Sequence, residues 1–306
     1  MFSPTSACAL AALVALTVSA APPTQPDAVL EALAAAAPAV IASASTPTEE
    51  AGHHDTDVSF GDELSDGATL TPHEGLGVNI RIRSHESVEG GKEVTPGVTA
   101  YNSSSPTDYF SAENTVSGGF STGVVIGDRS SPVEFEYHVS LTDGTAPRLE
   151  TTDDGAIMVF DRWHNGIAVV EVPWAFDSNG RTVGTHYAVV EDRIVQTVEH
   201  RQDEVSYPVV ADPAVRGTYI RSIEMVGAPN GITTSVFRTS NPDAIKFPDA
   251  VCDEYKLWVN SSYQGRKYRD QLVCHVVNAW TKQPWNLDSW RPDVGYAATV
   301  AAGCNP

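Results

Sequence analysis

The sequence predicts a mainly β protein: an antiparallel β-sandwich followed by a small α+β C-terminal domain that contains a disulfide. From about His73 to Asp212 apolar residues recur with period two, most clearly between Val133 and Val139, as is typical of half-buried strands. Past Pro213 the apolar spacing becomes helical, and three of the four cysteines and four of the six tryptophans lie there. These patterns predict two domains of different class.

The start of the chain predicts export. An apolar run from Cys8 to Val18 is too short to span a bilayer, and the small residues at its end suit signal peptidase. We expect a signal peptide over residues 1–20, cleaved after Ala20, and a secreted, extracellular protein. The absence of Lys and Arg before the apolar run leaves an upstream start codon open. No later apolar stretch reaches about eighteen residues, so we expect no transmembrane segment in the mature chain.

Residues 21–72 are predicted to form an Ala/Pro/Ser-rich linker or pro-segment. The stretch up to Gly52 contains no aromatic residue, and its one predicted element is a short helix from Val29 to Ala37 that ends at Pro38. With so little apolar variety, this stretch is expected to bury too little surface to offset the entropy lost on ordering.

Residues 73–213 are predicted to form the β-sandwich, with no helix of useful length. Pairs of Asn or Asp with Gly mark tight hairpin turns between its strands. These pairs are Asp143-Gly144, Asp154-Gly155, Asn165-Gly166 and Asn179-Gly180. The predicted strands are Val78–Arg83, Gly123–Gly127, Val133–Val139, Ile157–Asp161, Ile167–Val172, Thr185–Val190 and Ile194–His200.

Residues 214–306 are predicted to form the α+β domain. Strands are expected at Tyr219–Val226 and Thr233–Arg238, joined by a turn at Asn230-Gly231. A helix is expected to begin near Pro248. Its apolar face would comprise Val251, Tyr255, Trp258 and Val259. The apolar run Leu272–Val277 is too short for its periodicity to distinguish a helix from a strand.

The charge of the chain is acidic and unevenly distributed. The net charge is −20, and it divides into −22 up to Asp212 and +2 beyond it. A surface this acidic repels nucleic acid and anionic lipid, so neither is an expected partner. Excess acidic charge also keeps an exported protein soluble, which is the simpler interpretation.

The cysteines predict one disulfide and one free thiol. Removal of Cys8 with the signal peptide leaves an odd number in an oxidising compartment. We predict a bridge between Cys274 and Cys304, because it would hold an irregular tail that otherwise has only loops and a chain end. Cys252 lies on the apolar face of the predicted helix, where a buried, unreactive thiol is expected rather than a nucleophile.

Two sequence patterns that are associated with catalysis or metal binding are predicted to have neither role in this protein. Gly119–Gly123 fits the Gly-x-Ser-x-Gly pattern of serine hydrolases, but the residues after it predict a strand where that motif requires a helix. A histidine and aspartate cluster lies in a lead-in without the spacing of a metal site and is predicted to be solvated. The cluster is His53, His54, Asp55 and Asp57. We predict no catalytic residue, cofactor or metal.

The tail from Trp280 to Arg291 carries more functional weight. Its three tryptophans alternate with polar and charged residues, which suits a stacking platform for a sugar or peptide. Core packing is the more common use of tryptophan in a small domain. The candidate ligand contacts are Trp285, Trp290, Arg291 and His275. For His275 a structural imidazole is a more common role than that of a base.

The same tail resembles a known family. The segment from Asp270 to Tyr296, with its Cys-His, Trp-Asn-Leu-Asp and Trp-Arg-Pro-Asp-Val-Gly-Tyr motifs and the final Cys-Asn-Pro, resembles the domain of unknown function 2599 of secreted bacterial proteins. The resemblance covers roughly residues 216–306. It implies the same disulfide and no established activity. Around Pro173-Trp174-Ala175 and Tyr207–Pro213 the chain is similar to a β-rich segment common in secreted actinobacterial proteins.

The leading hypothesis is a non-catalytic extracellular binding or cell-envelope-associated protein with a glycan or protein ligand. The missing catalytic constellation and the aromatic tail motivate it. The alternative is a secreted hydrolase or an antagonistic effector with its activity in the C-terminal domain, using His275 and a nearby carboxylate.

Overall fold

A computed structural model describes residues 27–46, 56–72, 75–239 and 241–306. The predicted signal peptide lies outside the described residues, so its prediction is not tested. Two helices come first, α1 (Ala28–Ala36) and α2 (Pro38–Ser45). The strands up to residue 126 are β1 (Thr56–Phe60), β2 (Ala68–Pro72), β3 (Val78–Ile82), β4 (Lys92–Thr95), β5 (Val98–Tyr101), β6 (Thr107–Asn114) and β7 (Gly119–Ile126).

The remaining strands of the sandwich follow without an intervening helix, as predicted. They are β8 (Glu134–Leu141), β9 (Arg148–Thr151), β10 (Ile157–Phe160), β11 (Gly166–Val170), β12 (Trp174–Phe176), β13 (Thr185–Val190), β14 (Arg193–Val198), β15 (Val209–Asp212) and β16 (Ala214–Gly217). The strands predicted from the period of two are all present, with bounds that differ by a few residues at most ends.

Two antiparallel sheets face each other and enclose the main core, which confirms the predicted sandwich. One sheet has the order β1-β2-β3-β8-β14-β13, and the ten-stranded sheet runs β4-β5-β6-β7-β16-β11-β10-β9 with β12 and β15 attached beside β7. Ile80 and Tyr137 from the first sheet pack with Phe120, Val124 and Ile157 from the second, and all five are buried. Such burial is the main source of stability in a sandwich.

Three of the predicted turn glycines adopt the positive φ that the turns require, at Gly144, Gly155 and Gly180. The fourth turn differs: its left-handed residue is His164, with a φ of 62°. Gly166 instead opens β11, where the absence of a side chain leaves room for Trp258 and for the backbone of the C-terminal domain.

The segment before the sandwich is more ordered than its composition predicts. Val29 and Leu33 of α1 are fully buried against the outer face of the larger sheet, where Phe110 and Val210 meet them. The expectation that this stretch buries too little surface was therefore wrong for residues 27–46, because the sheet supplies the large side chains that the helices lack. Strands β1 and β2 also lie within the predicted linker, so the sheet begins before residue 73.

No helix among the described residues is by itself long and apolar enough to cross a bilayer. The pair α1 and α2 reaches that threshold only when the two are taken together, and they are bent by 105° at their junction.

The C-terminal domain combines a three-stranded sheet with three helices. Its elements are β17 (Ile220–Ala228), β18 (Gly231–Arg238), α3 (Pro248–Trp258), α4 (Arg266–Asn278), β19 (Trp285–Asp288) and α5 (Tyr296–Ala301). The sheet order is β17-β18-β19, and α3 and α4 pack on it around Val251, Tyr255 and Leu272. The helix predicted at Pro248 is confirmed, and the ambiguous run Leu272–Val277 is helical.

A buried ion pair joins the sandwich to this domain. The Glu254 carboxylate on α3 is fully buried and accepts hydrogen bonds from the backbone N–H groups of Tyr219 and Ile220 at 2.8–3.0 Å. It also pairs at 2.9 Å with the guanidinium of Arg216, which extends from β16 of the sandwich and is 3.3 Å from Glu171. One side chain therefore satisfies two backbone donors and one cation at the point where the chain leaves the sandwich.

We predict that Glu254→Gln lowers the free energy of unfolding by about 3 kcal/mol, because it leaves the Arg216 charge buried with a weaker partner. Chemical denaturation followed by circular dichroism measures the change. The matched control is Asp253→Asn on the same helix, since Asp253 is 70% exposed and forms a surface ion pair with Lys256; a change below about 0.5 kcal/mol is expected there. Equal effects of the two substitutions would contradict the role given to Glu254.

Candidate binding site

The predicted disulfide is present. Cys274 on α4 is bonded to Cys304 after α5, with their Cα atoms 5.4 Å apart. The bridge attaches the final irregular residues to the central helix of the domain. Cys252 is a buried free thiol, as predicted, and burial raises its pKa to about 12, so it stays protonated and unreactive.

The aromatic tail is largely structural. The Trp285 ring is fully buried on β19, where its indole N–H donates to the Ala279 carbonyl. A side chain in this position cannot contact a ligand, so Trp285 is corrected from a candidate contact to a core residue. The tryptophan pattern was misleading because side chains of a strand alternate between core and surface, and the sequence did not show which face of β19 Trp285 occupies.

His275 is also interior. Its imidazole is 1% exposed, and its Nε2 lies 3.2 Å from the Asn286 carbonyl, while its Nδ1 has no hydrogen-bond partner among the described residues. Burial, assisted by the charge of Lys282, lowers the pKa of His275 to about 4. The imidazole is neutral at physiological pH, but no substrate reaches it in this conformation. His275 is therefore also corrected from a ligand contact to a structural residue.

Trp290 and Arg291 are the two candidate contacts that remain partly exposed. The Arg291 guanidinium donates to the Asp288 carboxylate at 3.1 Å and to the Pro306 carbonyl at 3.2 Å. It lies 6.0 Å from the centre of the Trp290 ring. These contacts fix the end of the chain to β19 and leave one edge of the pair open to solvent.

The Gly-x-Ser-x-Gly match has a structural explanation. It lies inside β7, with every residue buried, so the turn of a hydrolase nucleophile is absent. A Cβ atom on Gly119 would lie 2.0 Å from the Val215 carbonyl oxygen, and one on Gly123 would lie 2.2 Å from that of Ala211. The two glycines therefore allow β15 and β16 to approach β7 closely.

No group of three or more potential metal ligands occurs among the residues that the structure describes. Asp57 is exposed on β1, whereas its proposed companions His53, His54 and Asp55 lie outside the described residues. The interpretation of that cluster as solvated stays a prediction.

A concave surface lies between the two domains, and we call it the junction cleft. Its volume is about 520 Å³, within the size range of small-ligand sites. It is bounded by β1, β2 and the β10–β11 turn on one side and by β17 and β18 on the other. The residues that define it are Thr56, Leu70, Asp161, Asn165, Arg221 and Arg238.

The junction cleft contains two guanidinium groups that no carboxylate among the described residues neutralises. Arg221 is exposed and lies 5.9 Å from the ring centre of Phe237. Arg238 is half-buried over the Trp280 ring at 4.2 Å and donates to the carbonyls of Trp280 and Thr239. Burial lowers the pKa of Arg238, yet an arginine in this setting remains charged.

Asp161, the acidic residue among those that line the cleft, already has hydrogen-bond partners within its own turn. Both oxygens of Asp161 accept hydrogen bonds, from the backbone of Trp163 and from the backbone and side chain of Asn165, all at 2.8 Å. The carboxylate thus builds the β10–β11 turn instead of opposing the two arginines. The cleft therefore offers net positive charge in an acidic protein.

The turn beside the cleft carries the most exposed tryptophan. Trp163 is 72% exposed, and the Arg162 guanidinium lies 5.0 Å from its ring centre. On the other side of this turn a second cavity of about 610 Å³ is lined by Glu150, Asp154 and His164. Trp163 was not predicted from the sequence as a contact, because the tryptophans of the C-terminal tail were the ones that formed a cluster in sequence. The position of Trp163, two residues before the Asn165-Gly166 pair, was the signal that placed it in a turn.

We predict that the stability of the protein falls as the pH drops from about 6.5 to about 4, by roughly 3 kcal/mol from His275 alone. The folded-state pKa is below that of the unfolded chain, so the stabilisation is complete above the unfolded value and is lost toward the folded one. Denaturation at a series of pH values measures it. His275→Gln is expected to flatten this part of the profile, whereas His186→Gln, at an exposed position on β13, is expected to leave it unchanged. A profile unaltered by His275→Gln would contradict the assignment.

Comparisons with known proteins agree with the sequence resemblance. Residues 234–306 match the family model described as a protein of unknown function, DUF2599. Uncharacterized proteins of Mycobacterium bovis and Mycobacterium tuberculosis are 45% identical to the chain over 42 residues, which is 12% of this chain. The chain spans 28% of the length of these curated relatives. The segment that matches the family model covers β19, α3, α4, α5 and most of β18, so the similarity to DUF2599 lies within the C-terminal domain.

Proposed function

We propose that the protein is a non-catalytic extracellular binding protein whose junction cleft recognises an acidic glycan, such as a uronic-acid oligosaccharide. One observation carries the proposal: Arg221 and Arg238 face a cleft of ligand size without a carboxylate partner among the described residues. A guanidinium binds a carboxylate through paired hydrogen bonds, which gives both affinity and orientation.

The distribution of charge supports an anionic ligand. The protein carries a net charge of −20, so its surface as a whole repels anions. A cleft with two arginines that no carboxylate among the described residues neutralises is the place where this repulsion is locally reversed. The partly exposed Leu76 and the polar side chain of Thr56 both line the cleft, a combination that suits the mixed faces of a sugar ring.

The exposed Trp163 supports a glycan as the anion. Its ring stands on the turn that borders the cleft, and an indole that is 72% exposed offers a flat surface for sugar stacking. Arg162 beside the ring helps to hold it in position. A chain that binds at the cleft and continues over this turn would contact both domains.

The alternative of a secreted hydrolase or effector required His275 as its base, and His275 is not accessible to a substrate. His275 is buried and neutral, and Ser121 lies inside a buried strand. No observation on the described residues favours that alternative over binding.

We expect the purified protein to bind uronic-acid oligosaccharides and Arg221→Ala to weaken that binding at least about tenfold. Isothermal titration calorimetry measures the affinity, and the neutral oligosaccharide of the same backbone is the ligand control. Arg266→Ala is the matched protein control, because Arg266 is similarly exposed but pairs with Asp293 outside the cleft. Trp163→Ala tests the stacking surface in the same assay.

Binding of the neutral and acidic oligosaccharides with equal affinity would overturn the charge argument. Binding that is unaffected by Arg221→Ala would overturn the location. A short peptide with a free C-terminal carboxylate is included in the assay, and its preference over the sugar would replace the glycan as the ligand.

A further inference from the structure

Asp212 is a carboxyl group buried where the chain passes from the sandwich to the C-terminal domain. It ends β15, is fully buried, and neither of its carboxyl oxygens has a hydrogen-bond partner among the described residues. The next residue is Pro213, and this is the single Asp-Pro pair in the sequence. Burial of a carboxyl group without partners is costly, so the group calls for an explanation.

The surroundings keep this acid neutral. Burial raises its pKa well above the usual range, and the charge of Glu171 acts in the same direction. Ser121 on β7 and Trp174 on β12 are the polar groups that oppose the rise, but neither donates with hydrogen-bond geometry. Tyr137 on β8 and Tyr187 on β13 also face the group and are themselves protonated, because burial raises their pKa values. Burial and the charge of Glu171 both favour the protonated form of the carboxyl group.

The peptide bond after Asp212 is polarised. The Tyr187 hydroxyl donates a hydrogen bond to the backbone carbonyl of Asp212 at 3.0 Å. A fixed donor on a carbonyl oxygen stabilises negative charge that develops there during attack on its carbon. The leaving group would be the nitrogen of Pro213, a tertiary amide without an N–H of its own.

We propose that the protein cleaves its own chain between Asp212 and Pro213, using the buried Asp212 carboxyl group as the nucleophile. A carboxyl oxygen forms a bond to the backbone carbonyl carbon of the same residue and closes a five-membered ring. The electron pair of the carbonyl moves to its oxygen beside the Tyr187 hydroxyl. When this electron pair forms the carbonyl double bond again, the bond to the Pro213 nitrogen breaks, and the nitrogen takes the carboxyl proton. The products are a cyclic anhydride at Asp212 and a free amine at Pro213.

Water completes the reaction. Hydrolysis of the anhydride adds one water molecule and leaves Asp212 as a C-terminal residue with two free carboxyl groups. No oxidant, metal or further reactant is needed. An ionised, solvated aspartate lacks the transferable proton, which explains why such a bond elsewhere would be stable at neutral pH while this one is reactive.

Cleavage would not by itself separate the products. Residues 213–306 begin with β16, which pairs with β7 and β11 inside the large sheet, and Arg216 continues to pair with Glu254. The cut chain therefore remains a noncovalent complex until an external event pulls β16 from the sheet. The C-terminal domain would then be released with Pro213 as its first residue.

The test is incubation of the purified full chain near neutral pH, followed by denaturing electrophoresis, intact mass measurement and N-terminal sequencing. We expect two fragments that end at Asp212 and begin at Pro213. Asp212→Asn is expected to abolish cleavage, and Tyr187→Phe to slow it about 100-fold by removing the donor. Asp203→Asn is the matched control, since Asp203 is exposed in the same domain, and it is expected to cleave at the normal rate. Hydroxylamine is expected to trap the anhydride as a hydroxamate on Asp212.

A folded chain that stays intact after prolonged incubation would overturn the proposal, and this result does not depend on any variant. Cleavage of a folded Asp212→Asn variant would overturn it too. Cleavage that requires prior acid unfolding would show the ordinary acid lability of an Asp-Pro bond and would equally refute catalysis by the fold. Circular dichroism of each variant establishes that it is folded.

Discussion

The buried carboxylate of Glu254 is the constraint on which the arrangement of the two domains depends. It accepts the backbone N–H groups of the first residues of the C-terminal sheet and neutralises Arg216 from the sandwich. A buried charge of this kind tolerates little displacement, because movement of any partner leaves an unpaired polar group away from water. The packing of Trp258 against Phe160 nearby adds an apolar contact to the same junction.

The junction cleft follows from this constraint. Its two walls belong to different domains, and Arg221 and Arg238 lie on strands whose position is set by the segment that Glu254 holds. The disulfide acts elsewhere in the domain, where it attaches the final residues to α4. Neither the Glu254 contacts nor the disulfide require a ligand. The cleft is therefore expected to be preformed, which lowers the entropic cost of binding.

Local patterns predicted the fold well and the site poorly. The period of two, the turn glycines and the helix at Pro248 depend on neighbouring residues, so the sequence contains them directly. The packing of α1 on the sheet was missed because its large partners, such as Phe110, lie far along the chain. The junction cleft was missed for the same reason: Thr56, Asp161 and Arg238 meet only in the folded structure. The number of tryptophans in the C-terminal tail suggested a ligand site there, whereas Trp285 is fully buried in the core.

The central claim is that the two domains form one unit held by Glu254. Hydrogen exchange of the backbone amides of Tyr219 and Ile220, followed by NMR, tests it most directly, because these are the amides that donate to the Glu254 carboxylate. The account predicts exchange as slow as that of core amides in β7, through opening of the whole structure. Exchange as fast as that of the exposed hairpin turns would show that the junction opens locally and would contradict the claim.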